Sequence, residues 1–515
     1  MKSHRTLLKS EWLGEVVALV IGALLPLAFA PFHFYPLAFM VPAVLVWLWF
    51  DVSQRRAVLR GYLFGIGFFG VGVTWVAVSM VRFGGIAMPL ASLLTGLFVL
   101  IWAIFPALVA YVVHRWFRAS QAWLSVVWVI PGLWTLSEWV RGWLFSGFPW
   151  LSLGYSQVNG PLSGFAPIIG VYGVSWLVMC CSGLLLLVIA SQSMRRRLQC
   201  AIGLVFVLGL SFALGQIPWT DPIGHSLKAS LIQGNIAQDL KWLPEQRQPS
   251  IDLYTRLTQE HWDSDIIIWP ETALPAFFHQ AKSYLTHLAE EAKQHESEVL
   301  IGMPVLDQAD AEQGRRYYNS FVLLGDEFTF YHKQHLVPFG EFVPLKSILG
   351  GFFDFFHIPM ADFSSGEREA KTLPVAGLQA GISICYEDAF GEEVIEALPQ
   401  ANFLINVSND AWFGRSIAPQ QHLQIARMRA VETGRPLLRA TNTGLTAIVD
   451  AKGHLQEVAP QFEVAALSGE VQPMQGATPY VRFGNAVVVT LMLGMLVIPW
   501  LQARLRSPRS GRFNG

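Results

Sequence analysis

Gly381-Ile382-Ser383-Ile384-Cys385-Tyr386-Glu387-Asp388 is a short apolar run that stops abruptly at a nucleophile and two acids. A run of this length, closed by polar residues, has the signature of a buried strand. A strand's end is a rigid place to mount a reactive side chain. Two more runs lead into similar chemistry. Ile266-Ile267-Ile268-Trp269 continues into Pro270-Glu271-Thr272-Ala273. Phe321-Val322-Leu323-Leu324 is followed by Tyr331-His332-Lys333-Gln334-His335-Leu336-Val337-Pro338-Phe339-Gly340-Glu341. Ala229–Gln233, Val299–Gly302 and Phe403–Asn406 also have strand patterns, and 280–295 and 420–432 have helical periodicity. Strands alternating with helices predict a layered α/β domain.

Outward from this region the chain changes character. Of 515 residues, 53% are hydrophobic and only 14% charged. Soluble domains carry about 25% charged residues, so much of this surface does not face water. The net charge of −1 argues against nucleic acid as a partner. A membrane-spanning helix needs about 20 mostly apolar residues. Eight segments qualify as candidates, near 13–30, 35–50, 61–81, 88–114, 121–140, 164–190, 198–217 and 484–503. The expected organisation is seven membrane helices over 1–220, a water-facing domain over 225–475, and an eighth helix with a basic tail over 480–515.

Basic loops set orientation, because Lys and Arg near helix ends stay cytoplasmic. The clusters are Lys2, Arg5 and Lys9; Arg55, Arg56 and Arg60; Arg115 and Arg118; Arg195, Arg196 and Arg197; and Arg504, Arg506, Arg509 and Arg512. They fall on every second loop. Both termini are therefore expected in the cytoplasm and the inserted domain outside it. Glu138 and Arg141 lie near membrane depth among several tryptophans. They are either a helix-borne pair in an aromatic belt or a lining for lipid headgroups.

Of four cysteines, Cys180, Cys181 and Cys200 sit in or beside apolar runs, and Cys385 stands alone in the polar region. A lone thiol there is a small buried hydrophobe or a nucleophile. The stretches around Glu271, Lys333 and Cys385 together resemble the nitrilase superfamily. With the surrounding helices they resemble its membrane-embedded branch, the apolipoprotein N-acyltransferases. That resemblance implies an αββα sandwich and a Glu-Lys-Cys triad. Acyl transfer through a thioester needs a nucleophilic sulfur, a base and an oxyanion partner. Cys385, Glu271 and Lys333 suit those roles in that order. Glu341, Tyr386, Glu387 and Trp242 match the family less centrally, as substrate-binding or supporting residues. His332 and His335 lack metal-ligand spacing, and neither metal nor cofactor is expected.

The resemblance further implies a ping-pong reaction in the bacterial inner membrane, with the domain in the periplasm. A phospholipid, with phosphatidylethanolamine the expected donor, gives its sn-1 acyl chain to the cysteine. The N-terminal amine of a diacylglyceryl-cysteine apolipoprotein then accepts it. A monomer is expected. A membrane-anchored amidase would share the triad but has no need of eight helices. A transporter with a periplasmic binding domain would explain the helices but not the triad stretches. Phe352, Phe353, Phe355 and Phe356, between Gly351 and Pro359, are either core or a lid dipping into lipid.

Overall fold

The computed structural model describes residues 11–117, 122–307, 315–342, 363–367 and 371–506. Phe352, Phe353, Phe355 and Phe356 lie outside the described residues, as do Lys2, Arg5, Lys9, Arg118, Arg509 and Arg512. The chain divides into two compact units, one of residues 1–74, 92–217 and 483–515, the other of 75–91 and 218–482.

The first unit is helical. Met88–Trp116, Ser163–Ala190 and Met194–Gly215 are long and apolar enough to cross a membrane. Gln54–Gly72 passes as a candidate span only when taken with Val76–Arg82, the helix after a break. Trp12–Ala28, Pro36–Trp49 and Ala486–Leu501 are apolar but shorter. The candidate segment near 121–140 forms a π-helical turn at Ser125–Val129 and a helix over Ile130–Arg141. Met194–Gly215 leaves Val205, Phe206 and Phe212 exposed, an uncovered apolar face of the kind that lipid covers. Glycines bring backbones together. A Cβ on Gly67 would stand 2.1 Å from the Leu19 carbonyl oxygen, and one on Gly22 would stand 2.1 Å from that of Phe64. Such small-residue contacts are how helices approach closely in lipid.

One residue read as a loop charge, Arg60, is internal. Arg60 is buried inside Gln54–Gly72, donates to the Leu48 carbonyl at 2.7 Å and pairs with Glu15 at 3.5 Å. Arg55 and Arg56, in the first turn of that helix, remain as the basic cluster there. Glu138 and Arg141 are also buried. Glu138 accepts from Trp134 Nε1 at 2.8 Å and from the Leu153 N–H at 2.9 Å. Arg141 donates to the carbonyls of Phe148, at 2.6 Å, and Trp150, and to Ser152 Oγ at 3.1 Å. The pair satisfies the backbone of the irregular stretch that follows it, which buried polar groups require. Both side chains are thus engaged inside the protein.

The second unit contains two six-stranded sheets. In chain order the strands are β1 (Leu227–Gln233), β2 (Ile266–Ile268), β3 (Glu298–Asp307), β4 (Arg316–Leu324), β5 (Thr329–His332), β6 (Thr372–Val375), β7 (Leu378–Ile384), β8 (Phe403–Ser408), β9 (Leu437–Thr441), β10 (Ala447–Val449), β11 (Leu455–Val458) and β12 (Ala465–Val471). One sheet runs β12-β1-β2-β3-β4-β5, the other β11-β10-β9-β8-β7-β6. Each is parallel at its centre, β1-β2-β3 and β7-β8-β9, with antiparallel flanks.

Strand alternation sorts the core into layers. Ile266, Ile268 and Phe321 of one sheet meet Ile382, Ile384, Ile405 and Val407 of the other. On the outer face of the first, Ile267, Trp269 and Val299 meet Tyr254, Leu257, Leu285 and Leu288. Those four belong to helices Pro244–Gln259 and Phe278–Gln294. On the outer face of the second, Leu404 and Leu437 meet Leu423, Ala426 and Ala430 of helix Ala418–Thr433. The result is an αββα sandwich. Residues 75–91 pack against this unit. Trp75 donates to Gln421 Oε1 at 3.1 Å, and the rings of Phe83 and Trp412 lie 5.1 Å apart, edge to face.

Candidate active site

The ends of the central parallel strands gather the polar residues. Glu271 follows β2, Cys385 follows β7, Asn409 and Asp410 follow β8, and Lys333 follows the edge strand β5. Backbone approach helps to place the first. A Cβ on Gly302 of β3 would stand 2.3 Å from the Pro270 carbonyl oxygen, so only glycine lets that strand lie against the Glu271 turn. Cys385 itself has φ of 53°, in the left-handed region that non-glycine residues avoid. Such strain persists where surroundings over-determine it, and it turns the thiol sharply off the strand.

Glu271 and Lys333, both buried, and Glu341, partly buried, form one cluster. Glu271 Oε1 accepts from Asn319 Nδ2 at 2.7 Å, and Oε2 accepts from the Asn409 N–H at 2.8 Å. Lys333 Nζ donates to Glu341 at 2.8 Å and lies 3.8 Å from Glu271 Oε1. Glu341 also accepts from Asn319 Nδ2 at 3.0 Å and from the Val337 N–H at 2.8 Å. Burial works against the Lys333 charge, but Glu341, then Glu271 and Cys385, outweigh it and hold the ammonium above its ordinary range. For Cys385 burial comes first and Glu271 adds to it, while Lys333 opposes, and the thiol is held well above its ordinary range. The resting sulfur is therefore a thiol, and it needs a base rather than a low intrinsic pKa.

Beneath Glu271 lies Lys241, 1% exposed, with its Nζ 3.5 Å from the Glu271 carbonyl oxygen. Burial lowers its ammonium to about 8, against the pull of Glu271. Its neighbours Leu240, Trp242 and Leu243 are exposed, as is Phe339 beside Glu341. The carboxylate cluster thus has apolar groups on the two segments that flank it.

Glu387 is 2% exposed and serves the loops. Its Oε2 accepts from the Ile384 N–H at 2.7 Å and from Tyr331 Oη at 3.0 Å. Its Oε1 accepts from the N–H groups of Gln334, at 2.7 Å, and His335, at 3.0 Å. One carboxylate therefore ties the cysteine turn to the segment after Lys333. Tyr386 packs edge-on against Phe390, whose ring stacks on His335 at 3.8 Å. His335 Nδ1 lies 2.7 Å from Glu393, and His332 Nδ1 lies 2.7 Å from Ser320 Oγ.

A second buried group was not picked out in the sequence. His422 Nδ1 lies 3.0 Å from Asp410 Oδ1, and its Nε2 lies 2.9 Å from Asp388 Oδ1. Arg439 reaches the same acids, at 3.0 Å to Asp388 and 3.2 Å to Asp410. Burial and Arg439 oppose a charge on His422, but Asp388 and Asp410 prevail and raise it to about 9. An unperturbed histidine titrates near 6.5. The stability that this charge contributes is thus complete below about pH 6.5 and fades as pH rises through the folded value. Asn319 and Asn409, which orient Glu271, also escape a sequence reading. The one available signal is that Asn409-Asp410 directly follows the apolar run at 403–406.

Residues 228–480 match the carbon-nitrogen hydrolase family, and residues 21–184 match the apolipoprotein N-acyltransferase N-terminal domain. The apolipoprotein N-acyltransferase of Methylococcus capsulatus is 47% identical over 95% of this chain and 96% of its own length. That of Nitrosomonas europaea is 46% identical over 94% and 96%, and that of Vibrio cholerae 42% identical over 97% and 100%. Among solved structures, a carbon-nitrogen hydrolase from Helicobacter pylori G27 aligns with a TM-score of 0.38 at 15% identity, over 55% of this chain and 99% of that one. On full-length identity to these relatives, the chain belongs to the apolipoprotein N-acyltransferase family of the nitrilase superfamily.

Proposed function

We propose that the chain N-acylates lipoproteins in two steps at Cys385, with a phospholipid, phosphatidylethanolamine foremost, as donor. The observation that carries this is the Glu271–Lys333–Glu341 cluster buried at the strand ends beside a strained cysteine turn. In the first step the Cys385 thiol gives its proton to Glu271 as the sulfur attacks the sn-1 ester carbonyl. Lys333 and the Tyr386 N–H face the negative charge that develops on the carbonyl oxygen. The C–O bond breaks, Glu271 returns the proton to the leaving oxygen, and a lysophospholipid departs. In the second step the N-terminal amine of a diacylglyceryl-cysteine attacks the thioester carbonyl. Glu271 takes the amine proton, the C–S bond breaks and the thiolate is reprotonated.

The exposed Leu240, Trp242, Leu243 and Phe339 suit the role of an acyl-chain path. They would also keep water from the thioester. Incubation with acyl-labelled phospholipid and no acceptor should release one equivalent of lysophospholipid and leave the label on the enzyme. Continuous turnover to free fatty acid would instead mark a hydrolase.

On the same reading the catalytic unit faces the periplasm and both termini the cytoplasm, on eight spans. Support comes from the alternation of the basic loops Arg55–Arg56, Arg115 and Arg195–Arg197. A phosphatase reporter inserted near Asp310 should be active, and one fused after Gly515 inactive. Activity in both would show that 484–503 does not cross the membrane.

A further inference from the structure

Four buried charges stand directly under the cysteine turn. Asp388 is three residues past Cys385, Asp410 follows β8, Arg439 lies within β9, and His422 lies on helix Ala418–Thr433. None is more than 2% exposed. Each carboxylate touches both bases, and each base touches both carboxylates, so the four close into a ring. Two negative and two positive groups leave the ring with no net charge, the condition under which buried ions are tolerated. Both imidazole nitrogens face carboxylate oxygens, so both carry protons, and the Nε2–H is shared between Asp388 and a second acceptor. Nε2 also lies 3.3 Å from the Cys385 carbonyl oxygen. Asn406 Nδ2 donates to that same oxygen at 3.3 Å, while Asn406 Oδ1 accepts from Arg439 Nη1.

The consequence follows from peptide planarity. In a trans peptide the C=O and the next N–H point in opposite directions. Holding the Cys385 carbonyl down onto His422 and Asn406 therefore aims the Tyr386 N–H away from the ring. We infer that the Asp388–Asp410–His422–Arg439 ring fixes the peptide plane after the nucleophile, with His422 the positioning residue that presents the Tyr386 N–H to the oxyanion. This inference rests on the acyl-transfer reading above and adds residues to it. The ring touches no substrate. It acts through one carbonyl, whose orientation the left-handed φ of Cys385 would not hold unaided.

The test compares two reactions of the full-length enzyme. Acylation by phospholipid builds an oxyanion, whereas alkylation of Cys385 by iodoacetamide displaces iodide and builds none. His422→Gln alone leaves an extra buried acid and risks the fold. The informative variants therefore remove one acid with the base. In His422→Leu/Asp410→Asn the remaining Asp388 and Arg439 balance, and no side chain at 422 donates to the Cys385 carbonyl. Single-turnover acylation should fall about thirtyfold or more, since a lost oxyanion donor costs about 10²–10³. The donor concentration at half-maximal rate and the alkylation rate should each stay within about threefold of wild type, because neither depends on that donor. In His422→Gln/Asp410→Asn the amide still donates, and most of the acylation rate should return.

Acylation by His422→Leu/Asp410→Asn within threefold of wild type would overturn the inference. A parallel fall in acylation and alkylation would do the same, as would failure of both double variants to fold. If wild type itself forms no acyl-enzyme from phospholipid, it is the acyl-transfer reading that fails.

Discussion

Lys333→Met is expected to slow formation of the acyl-enzyme by about a thousandfold, the upper range for losing one preorganised oxyanion group. The lysine is 1% exposed and bonded to Glu341 at 2.8 Å, so its ammonium is fixed before substrate arrives. Its loss has a second effect. Glu271 and Glu341 share the Asn319 amide and would remain buried together with no cation between them. Like-charged carboxylates in one site bind a proton more tightly. Removing one partner of a buried pair typically costs about 3–5 kcal/mol. Adding Glu341→Gln to Lys333→Met should return stability without returning rate. Single-turnover acylation and thermal unfolding separate the two effects. A Lys333→Met enzyme that acylates within tenfold of wild type would remove the lysine from the mechanism.

Glu387→Ala should be the most destabilising single change in the cysteine turn. It orphans three backbone N–H groups and the Tyr331 hydroxyl at once. Each unsatisfied buried donor costs about 1–3 kcal/mol, so the sum is about 4 kcal/mol after partial relaxation. For a unit of this size, about 2–4 °C per kcal/mol gives a melting temperature lower by about 10 °C. Glu387→Gln, which keeps one acceptor oxygen, should lose roughly half as much. A Glu387→Ala enzyme that melts within 2 °C of wild type would show that the loops hold their positions without this carboxylate.

The strands nearest the chemistry were legible because they are continuous apolar runs. β2, β7 and β8 appear where Ile266–Trp269, Gly381–Ile384 and Phe403–Asn406 predict them. β9, with the sequence Leu-Leu-Arg-Ala-Thr, was not read as a strand because Arg439 interrupts it. That arginine is fully buried in the charged ring, a partner set that only the fold assembles. β11 was missed for the opposite reason, since Leu455–Val458 is exposed throughout and carries no burial signal. Helix Pro244–Gln259 begins on a proline, contains a second at Pro249 and is strongly polar, so periodicity hid it. The grouping of Glu271, Lys333 and Cys385 came from the family resemblance of three separate stretches, and the short strand that carries Lys333, β5, was not read. Glu341, eight residues after Lys333, bonds to it at 2.8 Å. Glu387 was read as either a substrate or a loop residue, and its four bonds give it to the loops. Asn319, Asn409 and Lys241 were not legible, because an asparagine inside or just past a strand, or a single lysine in a loop, looks ordinary until a carboxylate arrives beside it.

The central claim is that Cys385 carries the acyl chain between donor and acceptor. The most direct measurement is the mass of the peptide containing Cys385, taken from full-length enzyme incubated with phosphatidylethanolamine of one defined sn-1 chain. The account predicts a mass increase of that acyl group on Cys385. The increase should be sensitive to hydroxylamine, absent from Cys385→Ala, and lost when a diacylglyceryl-cysteine peptide is added, with the same acyl group then found on the peptide's N-terminal amine. An unmodified Cys385 peptide in an enzyme that still acylates the acceptor would contradict it.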